Sequence, residues 1–331
     1  MKTLLNKLTF IALLAFVFIF QSCDSDDNDT TPDVVLPTTI VDVAIATPEL
    51  SSLVAALQAA DMDLPSVLSG TGPFTVLAPS NEAFADFLSD NNFSGLSDVP
   101  TDVLTQILLN HVISGQVTAS TLISDGSGYT KTLATGVGES TMSLYYDTSD
   151  GVRFNGVSSV TAADVEASNG VIHLVDAVIG LPTVVDFAQA DPAFETLVAA
   201  LTRDDLQTNF VEILSSTDSE LAPFTVFAPT NEAFGALLEE LDVAGLGDIA
   251  EATLSATLTN HVVSGANVLS SQLTDAMEIS TLGGTITTDL SDGAKLVDQN
   301  GRESEIVAFD VQSVNGIIHV INRVILPNLG E

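Results

Sequence analysis

The chain contains one cysteine, Cys23, and no tryptophan. A lone thiol allows no disulfide within the chain and no thiolate metal cluster. The only tyrosines are Tyr129, Tyr145 and Tyr146, which leaves little material for an aromatic platform on which sugars or bases could stack. Basic residues are the scarcest charged class: 8 Lys and Arg against 44 Asp and Glu, for a formal net charge of −36. Duplex nucleic acid needs cations to replace its counterions, so nucleic-acid binding is excluded as a function class. The same charge opposes adsorption to an anionic membrane surface. It is compatible with solubility in salty surroundings, where screening weakens self-repulsion. A sharper reading is recruitment of divalent cations as a bridge to other anionic surfaces. Neither a glycine-rich phosphate loop nor a calcium loop is visible.

The chain does contain a duplication. Phe74 to Phe84 is FTVLAPSNEAF and Phe224 to Phe234 is FTVFAPTNEAF, identical at nine of eleven positions. Asn110 to Gly115 is NHVISG and Asn260 to Gly265 is NHVVSG. NGVIHLVDAVI starts at Asn169 and NGIIHVINRVI at Asn315. Three blocks recur in one order at a spacing far longer than the roughly 20–50 residues of a solenoid repeat, so two domains are duplicated. The chain's 331 residues suffice for two domains that each bury a core without staples.

At the N-terminus, Lys2 and Lys7 flank an apolar run from Leu8 to Phe20, followed by Gln21, Ser22 and Cys23. The run is short for a membrane span, which takes roughly 20 apolar residues, and has the shape of a signal peptide. With the sole cysteine at the cut, the segment resembles a bacterial lipoprotein signal, in which Cys23 becomes the lipidated first residue. Phe20 and Gln21 stand where that signal prefers Leu and then Ala or Ser. The expected order is a signal peptide over 1–22, then a lipidated Cys and acidic tether over 23–39. Asp24 to Asp29 (DSDDND) resembles the acidic stretch that sends some Gram-negative lipoproteins to the outer face of the outer membrane. The expected location is therefore the cell envelope, lipid-anchored to the outer membrane and surface-exposed, with membrane contact only through the anchor.

Within the first repeat, Ile40, Val43 and Ala44, then Leu50, Leu53, Val54 and Leu57, predict a short helix and a longer one divided by Pro48. Gly70 to Pro73 predicts a turn into a strand from Phe74 to Ala78, which Pro79 stops. Ser80 and Thr230 are placed to cap the next helix, with Glu82 and Glu232 in its first turn. Val103, Leu104, Ile107, Leu108, His111 and Val112 predict one long helical stripe, stopped by Gly115 and, in the copy, by Gly265. From Gln116 to Val178 the pattern predicts strands, with DTSDG (147–151) and DLSDG (289–293) as hairpin turns. Val171 to Val178 is apolar on both alternating faces and predicts a buried central strand.

These blocks together resemble the fasciclin domain family, over about residues 40 to 328. The family carries a Thr-Val-Phe-Ala-Pro-Thr-Asn-Glu-Ala-Phe run, a Tyr-His pair and a Gly-x-Ile-His-x-Ile-Asp strand. Asn110 and Asn260 replace the Tyr of the pair, and Asn322 replaces the Asp present at Asp176. The integrin contact linked to that Tyr in animal members is therefore not carried over. The resemblance implies an α+β fold: two tandem fasciclin-like domains, 40–182 and 183–328, each a β-sheet wedge with helices packed alongside. It implies adhesion or matrix binding, no cofactor and no enzymatic activity, with a matrix polymer or cell-surface protein as partner. The motif residues Pro79, Asn81, His111, His173, Pro229, Asn231, His261 and His319 are expected to be structural.

The residues themselves agree on catalysis. Two histidines per repeat invite a metal or acid–base reading, but zinc normally takes three or four protein ligands and no cysteine supports it. No nucleophile sits in a strained turn beside a histidine. The alternative function is a periplasm-facing lipoprotein with a ligand pocket in one or both domains. The joint of Leu181, Pro182 and Thr183 is short, so the two domains should hold a limited range of orientations.

Overall fold

A computed structural model describes residues 38–218 and 220–328. The expected signal peptide, Cys23 and all but the last two residues of the acidic tether lie outside the described residues. The first repeat begins with α1 (Ile40–Ala46), a 3-10 turn (Pro48–Leu50), α2 (Ser51–Ala59) and α3 (Leu64–Leu68). Strand β1 (Phe74–Pro79) follows, then α4 (Asn81–Asp90), α5 (Thr101–Asn110), β2 (Val112–Ser114) and α6 (Ala119–Asp125). The strands β3 (Gly128–Thr135), β4 (Thr141–Asp147), β5 (Arg153–Phe154), β6 (Ser158–Ala167) and β7 (Gly170–Val175) complete it. The second repeat runs α7 (Val184–Ala190), α8 (Glu195–Leu201), α9 (Phe210–Leu214), β8 (Phe224–Pro229), α10 (Asn231–Glu240), α11 (Glu251–Thr259) and β9 (Val262–Ser264). It ends with β10 (Glu278–Ser280), β11 (Thr285–Asp289), β12 (Lys295–Val297), β13 (Glu303–Gln312) and β14 (Gly316–Ile321).

Local chemistry sets the helix starts. The Thr39 hydroxyl accepts from Asp42 N while the Asp42 carboxylate accepts from Thr39 N, and Thr183 with Asp186 repeats this box at α7. Pro48 cannot continue α1, so α2 turns away at 104°. Ser80 Oγ accepts from Ala83 N at 3.1 Å and Thr230 Oγ1 from Ala233 N at 3.3 Å. Each cap turns the chain from a buried strand directly into α4 or α10.

Each repeat is α+β, with seven strands and helices packed against them. In both, the strand from the first motif block pairs in parallel with the strand from the last: Phe74 opposite Gly170 in one, Phe224 opposite Gly316 in the other. All four of these strands are almost wholly buried. The first repeat closes into a barrel, β1 to β7 in order. The second keeps the order β10-β11-β12-β13-β14-β8-β9 and stays open between β9 and β10. The implied wedge is thus a barrel in one copy. Closure needs Ile113 on β2 to pair with Thr132 on the eight-residue β3. The counterpart β10 has three residues, and only Leu282 N reaches Val262 O, at 2.8 Å.

Two expectations are corrected. The long helix does not run to Gly115: it ends at Asn110, His111 is its cap, and Val112 already lies in β2. Gly115 and Gly265 instead end strands, with φ of 101° and 76°. A short buried strand directly after a buried helix continues the apolar run, and periodicity alone cannot separate them. The strand region from Gln116 also contains a helix, α6, capped by Thr118. It buries only Ala119 and Leu122, too few positions to show a period.

Candidate functional site

All four motif histidines are buried, and each ring spends both nitrogens on backbone. His111 Nδ1 donates to Ile107 O at 2.7 Å and Nε2 accepts from Ile179 N at 2.9 Å; His261 does the same with Thr257 O and Ile325 N. Each pair ties the end of the long helix to the segment leaving the last strand. Burial depresses both imidazoles to about 4, so both are neutral at pH 7. His173 Nε2 donates to Val117 O at 2.9 Å and His319 Nε2 to Val268 O at 2.8 Å. Their Nδ1 atoms accept from Asp164 N and Asp310 N, two residues at φ 57° in bulges of β6 and β13. Asp164 Oδ1, 3.9 Å from His173 Nδ1, therefore faces a lone pair and makes no ion pair. That carboxylate accepts from Ala119 N, as Asp310 accepts from Ser270 N.

Asn81 and Asn231 brace the preceding helices. Asn81 Oδ1 accepts from Ser52 N and its Nδ2 donates to Pro48 O; Asn231 binds Thr196 N and Pro192 O in the same way. Pro79 and Pro229 end β1 and β8. The Asn residues at the Tyr position differ between copies. Asn110 Nδ2 donates to Gly180 O just before the joint, whereas Asn260 Nδ2 donates within its own helix to Ala256 O. Among the described residues, no three His, Cys, Asp or Glu side chains converge to hold a metal ion.

The cavity that does stand out lies at the joint between the repeats, a groove of about 890 Å³. Phe87 and Phe93, both half-buried, and Val99, Val103 and Ile107 form one wall, from α4, α5 and the chain between them. The turn Asn155–Val157, the segment Asp176–Pro182 and α7 of the second repeat form the rest. Asp86, Asp90, Asp176 and Asp186 stand around it, all exposed. The matching place in the second repeat is filled from within. Glu240, the counterpart of Asp90, takes Arg302 at 2.7 Å and Arg323 at 3.3 Å. Arg302 also reaches buried Asp298 at 3.3 Å and Val324 O at 3.0 Å. Burial pulls the Glu240 carboxyl up, but the two arginines outweigh it and hold it below its usual range.

The repeats are locked by side chains that cross the joint. Tyr129 OH donates to Asp191 at 2.9 Å, and the Tyr129 ring packs on Tyr145 and Phe187. Tyr145, on a strand of the first repeat, thereby belongs to the core of the second. Lys131 Nζ donates to Ser143 Oγ at 2.9 Å and to Asp310 O at 2.6 Å. Gln312 N donates to Ser143 Oγ and Val314 N to Pro182 O. Burial lowers the Lys131 ammonium, partly offset by Asp310.

Sequence reasoning missed several of these residues. Asn169 and Asn315 stand beside the motif strands and share three side-chain bonds: Asn169 with Ile40 N, Leu68 O and Gly70 O, and Asn315 with Val184 N, Leu214 O and Ser216 O, to which Asn315 adds Ser313 Oγ. Their recurrence before Gly in both copies was the available signal. Asn155–Gly156 is an Asn-Gly hairpin turn, also a visible signal. Tyr129 and Lys131 carried none, because Asp191 and Asp310, which they bind across the joint, lie on the other repeat.

The sequence profile of the Fasciclin domain matches residues 48–182 and 192–327. Protein sll1483 of Synechocystis sp. is 37% identical over 187 residues, which cover 54% of this chain and 98% of that protein. Transforming growth factor-beta-induced protein ig-h3 of Sus scrofa is 29% identical over 263 residues, covering 79% of this chain and 36% of that protein. Human periostin is 27% identical over 277 residues, covering 79% of this chain and 29% of that protein. The chain thus spans roughly a third of the length of these animal relatives. A solved FAS1 domain pair from the insect cell adhesion molecule fasciclin I matches with a TM-score of 0.50 at 20% identity, covering 85% of this chain and 97% of that one. At that identity the likeness is one of fold. With the profile matched twice and the motif residues doing the same structural work in each copy, the chain belongs to the fasciclin domain family, with two domains in tandem.

Proposed function

We propose that this chain is a non-catalytic adhesion protein of the cell envelope, working as one two-domain unit. The observation that carries this reading is the locked joint. Tyr129, Lys131 and Gln312 bind across it, so the pair presents one broad surface. Commitment of all four histidines to backbone bonds removes the residues best suited to acid–base work. Fasciclin domains occur in adhesion proteins such as ig-h3 and periostin, which supports the same class of role. The anchor is a lipid on Cys23 and the protein faces outward, held off the outer membrane by its acidic tether. The partner is a matrix polymer or a cell-surface protein. Divalent cations assist approach between anionic surfaces, beyond simple screening.

A deletion strain should attach poorly to its matrix or neighbours, and the isolated ectodomain should compete with attachment of wild-type cells. Normal attachment of the deletion strain at both low and high divalent cation ends the adhesion reading. A fatty-acid probe should label the wild type and miss Cys23→Ala. The open groove at the joint favours a second reading, a periplasm-facing protein that binds a ligand there. Protease shaving of intact cells separates the two: digestion supports the outward-facing protein, and protection supports the periplasmic one.

A further inference from the structure

The groove at the joint has an apolar wall and an acidic rim. Val103 and Val157 are 37% and 56% exposed there. Asp86 and Asp90 project from α4 with no ion-pair partner among the described residues. Asp176 accepts from Ser159 N through one oxygen, leaving the other for a second donor. Among the described residues no three acidic groups converge enough to chelate one ion, so a point cation is a poor match and charges spread along a chain are a better one.

An independent observation comes from Asn155, which lines the same groove and is only 8% exposed. Its Oδ1 accepts from Tyr145 N at 2.8 Å, which fixes the orientation of the amide. Its Nδ2 is buried and has no hydrogen-bond partner. A buried amide donor left unpaired is costly, so an acceptor that reaches it recovers a bond the fold does not make. The second repeat adds an internal precedent: where Asp90 is unpaired, Glu240 holds two guanidinium groups from its own chain. Arg323 stands at the position of Ala177, and the loop carrying Arg302 is replaced by the short turn Asn155–Val157.

We propose that this groove binds a basic, partly apolar peptide segment of a partner protein. Its lysine or arginine side chains meet Asp86, Asp90 and Asp176, its apolar side chains cover Val103 and Val157, and a backbone carbonyl accepts from Asn155. This rests on the reading of the chain as a binder of a macromolecular partner, and it names the chemistry of one such partner.

The test is fluorescence anisotropy with the purified protein and a fluorescein-labelled octapeptide of alternating lysine and leucine, at about 0.1 M salt to suppress diffuse attraction. Asp86→Asn with Asp90→Asn removes two rim charges, and Ala177→Arg gives the first repeat the cation that Arg323 gives the second. Each should weaken binding about tenfold with an unchanged urea midpoint. Asp204→Asn with Asp292→Asn, two exposed charges of the second repeat outside the groove, should change it less than about twofold. Spermine, which has charges but no carbonyl and no apolar side chains, should compete poorly. Groove variants that bind like the wild type overturn the site. An equal loss in the control variant reduces it to general acidity, and spermine competing as well as unlabelled peptide overturns the peptide assignment. Cell attachment plays no part in this measurement, so it can fail while adhesion through another face holds, and the reverse.

Discussion

Asp90 and Glu240 end the same helix in two copies of one domain, and they meet opposite surroundings. Glu240 is held by Arg302 and Arg323 beside buried Asp298, whereas Asp90 stands unpaired at the edge of a groove. Elsewhere in the two domains the copies agree atom for atom: His111 and His261 make the same two backbone bonds, and so do His173 and His319. A buried polar group must find partners, so the histidine ties recur in both copies, while Asn110 and Asn260 meet the same requirement with different carbonyls. A rim charge is worth little to stability and is free to change. The four basic residues of the second repeat all make polar contacts in it or stand near its carboxylates; the first repeat has only Lys131 and Arg153, and Lys131 serves the joint.

The largest effect should come from the element both copies share. His111 and His261 have folded pKa values of about 4 against 6.5 when unfolded. The unfolded chain binds the proton first as pH falls. The stabilisation is therefore complete above 6.5 and is lost as pH drops from there through 4, by about 3 kcal/mol per histidine. Urea midpoints between pH 7 and 4 should show this slope, and His111→Leu and His261→Leu should each remove a similar part of it. Unequal parts would break the equivalence of the two cores. Next, Asn169→Ala and Asn315→Ala should each cost about 3 kcal/mol, because each leaves one N–H and two carbonyls without their partner. Urea denaturation of the two variants side by side is the measurement.

The asymmetric element should give a smaller, one-sided effect. Arg302→Ala uncovers the buried carboxylate of Asp298 and should cost about 2 kcal/mol, while exposed Arg153→Ala should stay within about 0.5 kcal/mol. Equal costs would mean that the arginine network adds nothing to the second repeat. The smallest effect belongs to the caps. Ser80→Ala and Thr230→Ala should each cost about 1 kcal/mol, with the difference between them below the error of a thermal scan.

The duplication, the helix division at Pro48, the caps at Ser80 and Thr230 and the buried strand after Gly170 were all legible in the residues. Each depends on neighbours close in the chain or on an alternation of apolar positions, and such signals are local. The end of the long helix was not legible, because His111, Val112 and Ile113 are buried whether they belong to helix or strand. Helix α6 was hidden for the reverse reason: it buries too little to carry a pattern.

By itself the amino-acid sequence determined that two like domains stand in tandem, how each begins and turns, and that the whole is strongly acidic. Tertiary structure alone decided that one sheet closes and its copy does not, since closure turns on whether a strand is long enough to reach a distant one. It also decided that Tyr145 packs in the neighbouring domain's core and that Lys131 bonds across the joint. The groove belongs to the same class. Its walls come from α4, α5, the turn at Asn155 and α7, segments far apart in the chain whose charges and apolar faces meet only after both domains have folded and docked.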